Sequence, residues 1–136
     1  MRQTFSGDPV ARQTEVKERL ALIFNAAETR DLDRLDSYHW YGPHFTKFTS
    51  SARNRLDAAA AREGEHKAFS TLVDLKLRAD DVQIDLFGDT AVTTLITTAS
   101  YKSGRDTVIK RERGTIIFVK HDGSWKIVHE HFSAIE

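Results

Sequence analysis

Apolar and polar residues repeat with two different periods along this chain, and the change falls near Val73. Before it, Val16, Leu20, Ile23, Phe24 and Ala27 recur at steps of 4, 3, 1 and 3, which gathers them into one stripe of a helix. Asp8 ahead of Pro9 marks the start of that helix, a capping residue followed by the residue best suited to a first helical turn. A second, short helix is predicted from Asp31 to about Ser37, and Gly42-Pro43 then breaks the chain before HFTKFTS, read as a short strand. Residues 50–72 have helical composition, and Gly64, which costs a helix interior about 1 kcal/mol relative to Ala, is expected to divide them into two pieces.

From Val73 onward the period is two. Val73, Leu75 and Leu77, then Val82, Ile84 and Leu86, alternate with polar residues, as strands do. Gly88-Asp89, the SGRD of 103–106 and the HDGS of 121–124 are turn signals between β-rich runs. Three helices and a short strand followed by four long strands joined by hairpins predict an α+β domain with a mixed or mostly antiparallel sheet. The 136 residues suit one domain spanning 1–136, with residues 1–7 flexible.

The last hairpin decides which side chains share a face. With His121-Asp122-Gly123 as a three-residue loop, Lys120 pairs with Ser124. Ile116, Phe118, Val128, Glu130 and Phe132 then lie on one face, and Ile117, Val119, Trp125, Ile127 and His131 on the other. Two apolar faces predict that one covers the helices and the other meets a second copy of the chain, a homodimer through a sheet face.

Charge narrows the partners. Lys plus Arg and Asp plus Glu both number 20, so no net field recruits nucleic acid or anionic lipid, and neither nucleic acid nor membrane is expected as a partner. No apolar run approaches the roughly 18 residues of a membrane span, and the N-terminus lacks the apolar stretch of a secretion signal; a cytoplasmic protein is expected. The absence of cysteine excludes disulfides and thiolate chemistry, leaving His, carboxylates, Tyr, Ser and Thr.

Glu130 is the leading catalytic candidate. Among Ile116, Phe118, Val128 and Phe132 a carboxyl is raised in pKa by desolvation and can serve as general acid or base; pairing with Arg113 or Lys126, or a place in a structural network, is the structural alternative. His131 is the second candidate. His129 and His131, two apart, share a face and could reach a metal, but no third ligand is identifiable, so no metal and no other cofactor is expected. The Lys110-Arg111-Glu112-Arg113 run reads as a charged strand edge that discourages aggregation. There is no Gly-rich phosphate loop, nucleophile elbow or HExxH.

The order of elements, with DLDRL after the first helix, GEHKAFSTL before the strands, FGDTAVTTLITTASY, and RGTIIFVKHDGSWKIVHEHFS at the end, resembles the nuclear transport factor 2-like superfamily, and within it the SnoaL-like domains. It is also similar to the association domain of calcium/calmodulin-dependent kinase. The resemblance implies a cone-shaped α+β barrel, three helices packed on a strongly curved sheet, open at one end to a pocket and usually dimeric. It places SYHWYGPHF (37–45) at the pocket mouth, so that His39, Trp40, Tyr41, His44 and Phe48, with Thr97 and Tyr101 and with Ile116, Phe118 and Phe132, are the expected pocket residues; the alternative is that the aromatics of 37–45 only seal the open end of the core. Aligned with steroid isomerases of the superfamily, the proton-transferring Tyr and Asp fall near Ile23 and Lys47-Phe48, where neither residue type is present, which argues against that enolisation. The arginines of the kinase association domain fall at Thr97, Ile116 and Phe132, which argues against an anionic pocket. The expectation is a protein binding a small apolar or polycyclic molecule, with proton-transfer chemistry of the isomerase, cyclase or dehydratase kind as the activity the residues permit; the alternative is a non-catalytic oligomerisation or adaptor domain.

Overall fold

The computed structural model describes residues 9–135, so the expected Asp8 cap and the flexible 1–7 segment lie outside the described residues. The elements are α1 (Pro9–Glu28), α2 (Leu32–Ser37), β1 (Thr46–Phe48), α3 (Ala58–Thr71), β2 (Val73–Phe87), β3 (Thr90–Ser103), β4 (Asp106–His121) and β5 (Ser124–Ala134). The strands form one sheet in the order β1-β5-β4-β3-β2, with β1 parallel to β5 and every other pair antiparallel. This is the cone architecture expected of three helices on a curved, mostly antiparallel sheet.

Each helix has a local cause. The stripe of α1 buries Val16, Leu20, Ile23, Ala26 and Ala27. Asp31 caps α2 by accepting from the Arg34 amide at 3.2 Å, and Asp57 caps α3 through the Ala60 amide at 2.9 Å, each satisfying a donor the helix leaves unpaired. Two expectations are corrected here. The helix begins only at Ala58, because Leu56 is held in a two-bond bridge to Lys47 (3.0 and 2.8 Å). It also runs unbroken through Gly64, since its cap and its buried Ala61 and Glu65 outweigh the roughly 1 kcal/mol a glycine costs.

Curvature comes from bulges. In β2 the register shifts between Val73 and Lys76 and again between Asp80 and Gln83, and Asp74 (φ 54°) and Asp81 (φ 50°) stand there in the left-handed region, which Asp tolerates better than most residues. Extra residues of this kind bend a strand and increase its twist. The concave face then closes on α1 with Ile84, Ala91, Leu95, Ile116, Phe118, Trp125 and Ile127 in one core.

The last hairpin differs from its expected register. Asp122 and Gly123 both have positive φ, 50° and 79°, the signature of a two-residue turn that matches strand twist, and it pairs His121 with Ser124 and Lys120 with Trp125. A third bulge follows: Ile127 pairs with Phe118 but His129 with Ile117, leaving Val128 as the extra residue. Trp125 and Ile127 therefore face inward, 3 % and 0 % exposed, on the face of Ile116 and Phe118 rather than on the opposite one as expected, and the bulge restores Glu130 to the same inner face opposite Ile116. The outer face keeps Ile117, Val119, His129 and His131 but loses the Trp and the Ile on which much of the two-faced reading rested.

Candidate functional site

Four charged side chains from four segments meet on the inner face. β5 supplies Glu130, and the parallel ladder sets Lys47 of β1 directly beside it. The chain ahead of β1 docks on the same strand, with the Trp40 amide donating to the Ile127 carbonyl at 2.8 Å and the Ile127 amide to the Tyr38 carbonyl at 2.9 Å, which brings His39 alongside. Glu65 reaches in from α3. All four are buried, with 5 to 8 % of each residue exposed. His39 Nε2 lies 2.9 Å from Glu130 Oε1 and 3.4 Å from Glu65 Oε1. Lys47 Nζ donates to Glu65 Oε1 at 2.8 Å and stands 3.9 Å from Glu130 Oε2. The Tyr41 hydroxyl donates to Glu65 Oε2 at 3.2 Å, and its ring stacks on the His39 imidazole at 4.7 Å.

Hydrogen-bond inventory assigns the charge on His39. Its Nδ1 is 2.9 Å from the Leu35 carbonyl, which only accepts, and its Nε2 faces a carboxylate; both nitrogens donate only in the imidazolium. Burial pushes the ring toward neutrality, but hydrogen bonds to Glu130 and Glu65 prevail and raise it to about 10. Lys47 is lowered by burial yet lifted to about 12 by the negative field of Glu130 and Glu65. Burial alone would raise Glu65; Lys47 and His39 together hold it well below the ordinary carboxylate range. The Tyr41 hydroxyl is pushed far above its usual value by burial and by the adjacent carboxylates. Two cations thus balance two carboxylates, which is how buried charge is tolerated.

The predicted site residues divide. Ile116 and Phe118 are buried in the core and Thr97 is 9 % exposed; Tyr41 and Phe132 pack against that core, and His39 and Tyr41 belong to the charged cluster. Phe132 crosses Gly114, where an added Cβ would come within 2.4 Å of its ring. Others lie elsewhere. Trp40 is exposed and stacks on His121 at 4.1 Å; His44 is exposed. Phe48 sits on the outer side of β1 against His131 at 5.2 Å, and His131, exposed, is on the opposite face from Glu130. Tyr101 lines a surface groove of about 700 Å³ with Arg30, Leu72 and Lys76, and a second groove of about 580 Å³ runs past Leu32, Arg62 and His66; Glu130 lines neither. Among the described residues the partners of Glu130 are His39 and Lys47 rather than Arg113 or Lys126, and Lys126 Nζ donates to the Ser37 carbonyl.

Lys47 and Glu65 were not among the predicted site residues, yet both carry signals. Glu65 interrupts the Ala61 and Phe69 stripe of α3 at the i+4 position, and Lys47 follows the buried Phe45 by two in a strand. His39, Glu65 and Glu130 also offer three metal-ligating atoms within 4.8 Å of one another. The Lys47 ammonium stands between the two carboxylates, however, and supplies the cationic charge a metal would bring there.

The family model of the SnoaL-like domain matches residues 16–136. The chain belongs to the SnoaL-like family. A comparison with curated proteins found no match. Among solved structures, this SnoaL-like chain is similar to a proposed dehydratase of the nuclear transport factor 2-like family from Streptomyces avermitilis, at TM-score 0.85 and 18 % identity over 95 % of this chain and 99 % of that one. A nuclear transport factor 2-like superfamily protein from Salmonella enterica serovar Typhimurium gives 0.80 and 18 % over 95 % and 94 %. A proposed calcium/calmodulin-dependent kinase II association domain from Xanthomonas campestris gives 0.77 and 17 % over 98 % and 94 %. At these identities the SnoaL-like chain shares their fold, and function must be argued from its own residues.

Proposed function

We propose that this SnoaL-like protein binds a small, largely apolar molecule against the inner face of its cone and performs proton-transfer chemistry on it, of the isomerase, cyclase or dehydratase kind, with Glu130 as the proton acceptor and donor. The observation that carries this reading is the division of labour within the cluster. Glu65 is engaged by Lys47 and Tyr41 and held ionised, which makes it a poor base. His39 is an imidazolium, a donor rather than a base. Glu130 gives one oxygen to His39 and keeps Oε2 without a hydrogen bond among the described residues, an acceptor position left for a ligand's proton. Phe132, partly buried against the core, gives an apolar surface two residues along the strand from Glu130, with Ile116 and Phe118 buried behind it, and Tyr41 and Thr97 give the polar points that orient a ligand. The similarity to a proposed dehydratase supports the same class of chemistry.

Titration of the ¹⁵N-labelled protein with acetophenone tests the reading, alongside deuterium exchange of the ketone's methyl protons in D₂O. Saturable shifts at the amides of Ile116, Glu130 and Phe132, without shifts at outer-face Ile117 and His131, are expected, and exchange that Glu130→Gln slows at least tenfold. Shifts confined to the outer face or to the two surface grooves would overturn it.

The second reading is an oligomerisation module. The similarity to kinase association domains and the half-buried Ile117 and Val119 of the outer face favour assembly there, with a homodimer through that face as the form proposed. A cytoplasmic location accompanies both readings; no described helix is long and apolar enough to cross a membrane.

A further inference from the structure

Lys47 and Glu130 are neighbours in the β1–β5 ladder, yet they do not complete each other. At 3.9 Å the Nζ to Oε2 separation exceeds hydrogen-bond length. Among the described residues the ammonium makes one hydrogen bond, to Glu65, and so keeps two N–H groups, while Glu130 Oε2 keeps its lone pairs. Both side chains retain contact with solvent-sized space, 10 % and 8 % exposed. A donor and an acceptor are therefore presented side by side, fixed by backbone pairing, in surroundings where hydrogen bonds are strong.

We propose that Lys47 Nζ and Glu130 Oε2 form a subsite for the hydroxyl group of an alcohol, deepening the binding reading above and resting on it. An oxygen about 2.8 Å from both atoms closes a triangle with an angle of about 90° at that oxygen, close to what a hydroxyl adopts when it accepts from one partner and donates to another. A hydroxyl alone among simple oxygen functions meets both demands: a ketone accepts from Lys47 but has no proton for Glu130, and a carboxylate would meet Oε2 as a like charge. The substrate class is thus an apolar alcohol, its hydroxyl polarised by the ammonium and in proton contact with Glu130. His39 positions that carboxylate through Oε1 and does not touch the ligand.

Three compounds of one skeleton test this: 1-phenylethanol, acetophenone and cumene, titrated into the wild-type protein by NMR, with a crystal structure of the alcohol complex. The expected order is alcohol, ketone, hydrocarbon, the alcohol binding roughly tenfold tighter than cumene, with its oxygen within hydrogen-bond distance of both Lys47 Nζ and Glu130 Oε2. In Glu130→Gln the alcohol's lead over the ketone should fall below about threefold. Equal binding of alcohol and cumene on the inner face, or a complex in which a water holds that position and the alcohol oxygen lies elsewhere, overturns the subsite while leaving cone binding intact. If none of the three binds the inner face, both fall. Should the variant fail to fold, the wild-type order and the complex structure decide alone.

Discussion

The ring of Phe132 lies where a side chain on Gly114 would have to be: a Cβ there would sit 2.4 Å from Cε1 and 2.7 Å from Cδ1 of that ring. The two residues pair across β4 and β5, so neither backbone can withdraw alone. Gly114→Ala should destabilise the fold by about 1–3 kcal/mol through overpacking, read as a lowered urea midpoint. Phe132→Leu in the same chain should recover part of the loss. An additive double mutant would show that the contact is not the cause.

The charged cluster predicts a stability optimum bounded on both sides. His39 is raised from 6.5 to about 10, so its contribution is complete below about pH 6.5 and is lost as pH rises through about 10. Glu65 is lowered from 4.5, so its contribution is present above that value and is lost as pH falls through its folded value. Urea midpoints should be highest near neutrality and fall at both ends. In His39→Gln the alkaline decline between pH 7 and 10 should shrink, and a His39 Hε1 resonance that titrates near 6.5 in the wild type would contradict the assignment.

Removing one partner of the cluster should cost more than removing a surface charge. Lys47→Met leaves Glu65 and Glu130 facing a single cation in a buried site, and about 3–5 kcal/mol of lost stability is expected. Arg78→Met breaks an exposed pair with Asp80 and should cost about 0–1 kcal/mol. Comparable losses in the two variants would show that the cluster is wet rather than buried.

Deleting Val128 tests the bulge. Without Val128 the pairs Phe118–Ile127, Ile117–His129 and Ile116–Glu130 join into one regular ladder, so Glu130 should stay inward and the deletion variant should keep the His39 imidazolium resonance at pH 8. Loss of that resonance would show that Val128 is not the extra residue of the ladder.

The first two helices, the strands and the face that Glu130 shares with Ile116, Phe118 and Phe132 could be read from the chain because each rests on a local signal: Asp31 as cap, the α1 stripe, the alternation around Ile116. The inward turn of Trp125 could not, since it depends on one unpaired residue at Val128 and on a turn shorter by one, and neither changes local composition. Glu65 and Lys47 escaped for a related reason. Each is an ordinary surface residue type, and only the juxtaposition of α3, β1 and β5 shows them as partners. His39 was singled out only through the resemblance, as a residue of the expected pocket mouth, and not as a buried cation, a state conferred by Glu130, 91 positions away.

The unpaired Val128 bears on how relatives are compared. A strand without it would present its inward carboxylate one position earlier or later relative to Trp125, so an ungapped alignment across β5 would set an inward residue of one protein against an outward residue of the other. For this strand, equivalence between homologues is better assigned by counting from Gly114 and Ile116 across the ladder than by counting along the chain from Trp125.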